Sequence, residues 1–257
     1  MAQPAFRLEG KPVASKAHQK DDNIVWETVS VVLQALVLAL VLRTFLFQPF
    51  NIPSGSMKPT LLIGDYLFVS KFSYGFSKHS FPFSPNIFDG RILQFSEPER
   101  GDVVVFKFPV DNSTDYIKRI IGLPGDKVEM RNSVVYINDV PLPRGQNGTY
   151  TDEGNRATVP VWVEKQDNGK SYATIDTEPG GFRDNHPAVT VPPDSYFVMG
   201  DNRDNSSDSR YDVEFMPAEN LVGKAQIIFL SLRNGTPAWQ IWKWPTDMRW
   251  GRIFTWL

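Results

Sequence analysis

Three short segments carry residues whose types could do chemistry together. The first is Pro53-Ser54-Gly55-Ser56-Met57-Lys58-Pro59-Thr60. A glycine between two serines, bounded by prolines, makes a tight exposed turn that can present a hydroxyl. A serine becomes a nucleophile only beside a base. Histidine is the usual one, but His18 precedes a long apolar run, and His79 and His186 stand in Pro- and Ser-rich loop sequence and read as surface residues. Lysine can take the role when burial disfavours its ammonium and lowers its pKa from ~10.4. The second segment, Asp115-Tyr116-Ile117-Lys118-Arg119-Ile120-Ile121-Gly122, offers such a lysine. On a strand, Lys118 shares a face with Tyr116 and Ile120, which can screen it from water. A solvated lysine on an amphipathic strand has the same local sequence, so this segment alone leaves both readings open.

The third segment is Gly200-Asp201-Asn202-Arg203-Asp204-Asn205-Ser206-Ser207-Asp208-Ser209-Arg210, too dense in turn formers and charges for a regular element. It reads as a solvated loop, as a calcium loop using Asp201, Asn202, Asp204 and Asp208, or as a network in which an Asp–Arg pair and a serine support a catalytic group. Arg203 and Arg210 oppose a cation, and the EF-hand spacing is absent.

An anchor and a β domain must position these segments. Ile24–Phe47 is 24 residues with charges only at Glu27 and Arg43. Its uncharged part, Thr28–Leu42, is 15 residues, about 22 Å as a helix. The apolar flanks extend it to a hydrocarbon core of ~30 Å. No small-x-small cleavage site follows, so the run reads as a retained span rather than a cleaved leader. Arg7, Lys11, Lys16 and Lys20 precede it, while only Arg43 lies between it and Lys58, which places residues 1–23 in the cytoplasm and the rest outside.

Beyond the anchor, Tyr66–Lys71, Asp102–Pro109, Lys127–Ile137, Ala157–Glu164, Ser171–Asp176 and Tyr196–Met199 are rich in Val, Ile, Tyr, Phe and Thr, with Gly, Pro, Asn and Asp between them. This predicts an all-β domain of short strands. Residues 141–192 are richer in turn formers and read as a secondary β insert in a catalytic domain made of 48–140 and 193–257. Five of the seven tryptophans fall in the last 19 residues; they suit either packing on the β core or a membrane interface.

Composition narrows the classes. The 257 residues are 41% hydrophobic, too apolar for a disordered chain. A net charge of −2 gives no basic field for nucleic acid. The absence of cysteine removes a disulfide scaffold, a Cys nucleophile and thiolate metal sites. No P-loop, G-x-G-x-x-G or H-E-x-x-H pattern occurs, and no Ser-x-x-Lys, which removes the β-lactamase class.

Taken in order behind an anchor, five motifs resemble bacterial type I signal peptidase. They are Pro53–Thr60, Gly64-Asp-Tyr-Leu-Phe-Val-Ser-Lys71, Arg100-Gly-Asp-Val-Val-Val-Phe106, Tyr116-Ile-Lys-Arg119 with Gly122-Leu-Pro-Gly-Asp126, and Gly200–Arg210. The resemblance implies a mainly β, antiparallel-sheet catalytic core with a smaller β insert and one N-terminal transmembrane helix. It implies Ser56 as nucleophile, Lys118 as general base, and Ser54 as an oxyanion donor beside the Ser56 backbone N–H. Ser206 is then the hydroxyl that orients the lysine, and Asp208 and Arg210 a supporting ion pair. Its substrates are secretory preproteins, cut after small-x-small motifs, and the bilayer is its other partner. No cofactor, metal or nucleic acid is implied. Phe50, Ile52 and Pro53 lead into Ser56 and can pair with an extended substrate, the first two narrowing the pockets to small side chains. The chain departs from the family pattern after Arg210, where Tyr211-Asp212-Val213 replaces an aromatic–Gly pair. A Ser–Lys self-cleaving protease of the repressor type is the alternative, against which the anchor argues, and a catalytically inactive anchored module is another. The expected seat is the bacterial inner membrane. The Trp-rich tail and Phe76, Phe81 and Phe83 are expected to rest the domain on its outer leaflet.

Overall fold

The computed structural model describes residues 16–81, 84–85, 88–233 and 235–257; Phe83 lies outside them. Two compact units result, Met1–Leu42 and Arg43–Leu257. The first contributes most of helix α1 (Lys16–Phe45). Its stretch Ile24–Phe45 has a mean hydropathy of 2.2 over its most apolar window and is long enough to cross a membrane. The helix ends two residues before the expected limit. Gln48 precedes Pro49, which disfavours helical backbone at that position, and Phe47 already pairs as a strand with Ser70.

The second unit is β throughout its core. Its principal strands are β1 (Phe47–Asn51), β2 (Asp65–Ser70), β3 (Val103–Lys107), β4 (Asp115–Gly122), β5 (Lys127–Arg131), β6 (Val134–Ile137), β7 (Arg144–Thr151), β8 (Thr158–Lys165), β9 (Ser171–Ile175), β10 (His186–Thr190), β11 (Ser195–Met199), β12 (Leu221–Ser231) and β13 (Thr255–Trp256). The main sheet runs β1-β2-β12-β3-β4-β11, antiparallel at every pairing, with β13 added to β12. Strands β7-β8-β9 form a second sheet, and β10-β5-β6 belong to a third. The mainly β, antiparallel expectation holds.

Strand β3 shows why the sheet is buried on both faces. Its Val-Val-Val-Phe run is apolar at every position, as a central strand requires. Val103 and Val105 pack with Ile52, Met57, Leu61 and Leu67 on one side. Val104 and Phe106 pack with Ile120, Val198 and Leu221 on the other. The first of these cores is the floor beneath the Pro53–Thr60 turn.

Several details depart from the sequence expectations. Lys127–Ile137 is two strands, because Asn132 and Ser133 both take positive φ (48° and 64°) and turn the chain into a hairpin. Strands β1 and β12 were not foreseen. Strand β12 is bulged three times, twice against β2 and once against β3, which destroys the alternation that reveals a strand. His79 is buried, not a surface residue; its Nδ1 lies 3.2 Å from Ser84 Oγ. His186 is half-buried, edge-on to Phe197. Phe76 is buried too, which removes it from the expected membrane-facing set. In the tail, Trp239, Trp242, Trp250 and Trp256 are 65–72% exposed, whereas Trp244 packs against Leu230, Leu232 and Met248.

Gly64 ends the Ser56 loop at the start of β2 and abuts Leu232, just past β12, whose N–H donates to Gly64 O (2.9 Å). It has φ +87°, and a Cβ there would lie 2.1 Å from the Leu232 carbonyl oxygen. Gly148 also has positive φ but open space around it. Gly64→Ala is expected to cost roughly 3 kcal/mol of stability, from strain plus backbone displacement. Gly148→Ala should cost only about 1 kcal/mol. Chemical denaturation of the two variants checks this; equal losses would place the loop's anchorage elsewhere.

Candidate active site

The Ser56 loop is closed at its base and pinned along its length. Ile52 N–H donates to Asp65 O (2.8 Å) and Gly64 N–H to Ile52 O (3.0 Å), so the loop leaves and rejoins the sheet at one place. Met57 and Leu61, both fully buried, plug it into the core. The Gly200–Arg210 loop grips it from above. Asn202 donates from its backbone N–H to Ser56 O (3.0 Å) and from Nδ2 to Gly55 O (3.2 Å). Thr60 Oγ1 donates to Asp201 Oδ2 at 2.5 Å. The approach is close enough to need glycine at 200, where a Cβ would meet Ser56 O at 2.5 Å and Ser206 Oγ at 2.3 Å.

Lys118, on β4, meets this loop. Its Nζ donates to Ser56 Oγ at 2.9 Å, and Lys118 is 4% exposed. Its Nζ lies 5.3 Å from the Tyr116 ring centroid, as the shared-face reading expects. Burial pushes the Lys118 amine down from 10.5 to about 8; the charges of Asp208 and Asp201 pull it back up in part, and Arg210 adds to the lowering. Among the described residues, Ser56 Oγ has no histidine partner.

Both carboxylates near the lysine are matched by guanidinium groups. Arg210 binds Asp208 through Nε (3.0 Å) and Nη2 (2.9 Å), with both side chains wholly buried. Burial alone would raise the Asp208 carboxyl, but Arg210 and the Gly200 N–H hold it below the usual carboxylate range. Arg119 binds Asp201 through Nε (2.8 Å) and Nη2 (2.6 Å). The roles of Arg119, Asp201, Thr60 and Asn202 were not foreseen, although all four lie in the quoted motifs.

The other expected site residues are placed as follows. Ser206 Oγ is buried and makes no hydrogen bond to Lys118 among the described residues; its hydroxyl faces Asp208 and helps to hold that carboxyl low. Ser54 is exposed and lines a groove of about 580 Å³ that also holds Ser56 and Lys118. Residues 50–56 form one wall of this groove and 114–118 the other, with Asn205 and Ser207 at its rim. Phe50, Ile52 and Pro53 all line it, and Phe50 and Ile117 pack on the core that contains Ile52. Strand β1 ends the sheet, and β11 covers β4 only from Arg119 to Gly122. Both walls therefore present unpaired strand edges.

The family model described as signal peptidase, peptidase S26, matches residues 25–230. The chain belongs to this family. It is similar to the signal peptidase I of Rickettsia canadensis, 43% identical over 217 residues, which cover 81% of this chain and 80% of that one. It is also similar to that of Rickettsia typhi, 44% identical over 207 residues and 77% of each chain. A solved signal peptidase I from Enterococcus faecalis is 30% identical, covering 50% of this chain and 97% of that one, with a TM-score of 0.31. Membership makes the chain a serine-type peptidase that processes signal peptides.

A lysine with a folded-state pKa below its unfolded value opposes folding whenever the unfolded chain holds the extra proton. The penalty is complete below about pH 8 and is relieved as pH rises towards 10.5. Its ceiling is roughly 3 kcal/mol. Lys118→Met keeps the shape without the charge. It is expected to raise the unfolding midpoint at pH 7 relative to wild type, with the gap closing by pH 10. A gap independent of pH would contradict the burial account.

Proposed function

We propose that this protein removes signal peptides from secretory preproteins through a Ser56–Lys118 dyad. The observation that carries the reading is the 2.9 Å contact between the Lys118 Nζ, whose charged form burial disfavours, and the Ser56 hydroxyl in the groove. Neutral Lys118 accepts the Ser56 proton as Oγ attacks the scissile carbonyl. The lysine then gives that proton to the leaving amine. In the second step it takes a proton from water as the water oxygen attacks the acyl carbonyl, and it returns that proton to Ser56 Oγ as the acyl–Oγ bond breaks. The oxyanion is met by the backbone N–H of Ser56 and the hydroxyl of Ser54, which is free of other partners among the described residues. Removing one such donor typically costs ~2.7–4 kcal/mol of barrier. Asp208 and Arg210 fix the loop that carries Ser206, and the buried Ser206 hydroxyl, which makes no hydrogen bond to Lys118 here, can turn to a lysine that has given up its proton.

The substrate enters as an extended strand. Residues 50–53 and 115–118 are unpaired edges on opposite walls of one groove, so a peptide between them can hydrogen-bond by strand addition. Phe50, Ile52 and Ile117 reduce the depth available below it, which favours small side chains on the inward positions. That supports cleavage after small-x-small sequences.

The anchor and the tail support a bacterial inner-membrane seat. Helix Ile24–Phe45 is long and apolar enough to span, and the Lys/Arg bias around it supports a cytoplasmic N-terminus. Trp239, Trp242, Trp250 and Trp256, with Phe254, are exposed aromatic groups suited to headgroup depth. Secondary grooving by Phe47, Phe68, Phe72, Ile227 and Trp256 leaves an apolar cavity of about 420 Å³ on the same unit.

Cleavage of a preprotein in detergent micelles should fall to background in Ser56→Ala and in Lys118→Met, with both variants folded. In the wild type, kcat/KM should rise with pH through an apparent pKa of about 8, because the neutral amine is the active form. Retained cleavage by purified Lys118→Met, or a rising limb near 10.5, would remove the lysine from the mechanism.

A chain beginning at Arg43 is expected to bind phospholipid vesicles, seen as a blue shift of Trp emission. Replacing Trp239, Trp242 and Trp250 with Ser should abolish most of that binding. Unchanged binding would reduce the tail to ordinary packing.

A further inference from the structure

The calcium reading of the Gly200–Arg210 loop loses two of its residues in the fold, since Asp201 is bound to Arg119 and Asp208 to Arg210. Asp204 is left over, and two carboxylates from elsewhere meet it. Asp176 follows β9 and Asp184 sits in the short turn before β10. One oxygen from each of the three lies within 4.8 Å of the others. We propose that Asp176, Asp184 and Asp204 bind a hard divalent cation, with Ca²⁺ the best fit, against the expectation that the chain takes no metal.

The side chains argue for a ligand beyond their proximity. Asp176 and Asp184 are only 4% and 2% exposed, yet Oδ1 of each has no hydrogen-bond partner among the described residues, and neither has Oδ1 of Asp204. Their second oxygens are differently occupied. Asp184 Oδ2 accepts from the Gly180 N–H (2.6 Å), and Asp204 Oδ2 from the N–H groups of Thr177 (2.6 Å) and Glu178 (2.9 Å). These bonds hold the carboxylates in orientation while one oxygen of each stays unmatched. Arg144 is the cation paired with this group, and its Nη2 stops 3.6 Å from Asp176 Oδ2. One guanidinium against three carboxylates, two of them buried and the third half-buried, leaves negative charge only partly compensated, a costly arrangement.

Ca²⁺ answers that charge with the right chemistry. It takes six to eight oxygen ligands at ~2.4 Å, so two oxygens on opposite sides of the ion are about 4.8 Å apart. The three carboxylates supply part of the shell and water the rest. The ion would tie the segment after β9 to the loop that also carries Asn202 and Ser206.

The test uses the full chain in detergent micelles at pH 7.5, stripped with EDTA. Addition of 1 mM CaCl₂ should raise the unfolding midpoint by roughly 3–5 °C. Tb³⁺ luminescence should saturate at one ion per chain and be displaced by Ca²⁺. Asp204→Asn, at the least buried of the three, should lose the thermal shift and weaken Tb³⁺ binding at least tenfold. The proposal is overturned if the wild type shows no shift, if NaCl at matched ionic strength gives the same shift, or if Asp204→Asn responds like the wild type. Should that variant fail to fold, the wild-type stoichiometry decides: no ion bound, or several without saturation, means the carboxylates share protons instead.

Discussion

Under the proposed mechanism Lys118 must be neutral near physiological pH, so it has to be kept from water, and that requirement governs the architecture around it. Exposure of 4% supplies the desolvation. The same burial would be undone by any unscreened carboxylate, because a negative charge in a low-dielectric site drives the amine back to its ammonium form. Asp201 and Asp208 both lie close enough to act in that direction. Each is gripped by two bonds from an arginine, Arg119 and Arg210. The carboxylates can then organise the loop without imposing their full charge on the lysine.

This explains why the insert and the catalytic sheet cannot be assigned separate work. Strand β9 meets the Gly200–Arg210 loop directly: Ile175 N–H donates to Asp201 O (2.9 Å), and Arg203 N–H to Ile175 O (2.9 Å). Arg203, fully buried, pairs with Glu164 on β8 at 2.6 Å. Arg119 lies over the Tyr172 ring on β9, 4.2 Å from its centroid. Residues contributed by 141–192 thus complete the shell of the loop that holds Ser56. A buried pair such as Glu164–Arg203 adds little net stability. What it fixes is register, so that one placement of the loop is strongly preferred.

The residues of the candidate site that stand close in the fold were easier to pick out in the sequence than the scaffold that brings them together. Ser56, Lys118 and the Asp208–Arg210 pair stand in dense local motifs, and hydroxyl, amine and ion-pair chemistry can be read from residue type. The central strand Val103–Lys107 was legible because four consecutive apolar residues can be buried on both faces only inside a sheet. What escaped detection was set by long-range pairing. Strand β12 is spread over partners far away in sequence and bulged at each, so its period is lost. His79 looked exposed because Pro and Ser surround it, yet a Ser77-capped turn carries it inward. Phe76 and Trp244 looked interfacial by type alone, and packing decided otherwise. Asp176 and Asp184 have no local signal, since Asp204, which they meet, lies 28 and 20 residues further on.

The sheet order also accounts for how a site this buried admits a polypeptide. A sheet that ended in covered edges would leave no donors or acceptors for an extended chain, and exposed edges are normally an aggregation hazard. Here β1 is only five residues long and contains Pro49, which lacks a donor. The open part of β4 is limited to the few residues before β11 takes over. Both edges turn into one groove, with Ser56 at the end of one wall and Lys118 at the end of the other. A third copy of a strand in that groove would satisfy both edges at once and would carry its scissile bond to where the two walls deliver hydroxyl and amine. Binding and catalytic alignment then come from the same backbone hydrogen bonds, which require no particular sequence. In the proposed binding mode selectivity is left to the few side chains beneath the strand, and a floor of Phe50, Ile52 and Ile117 would discriminate by size.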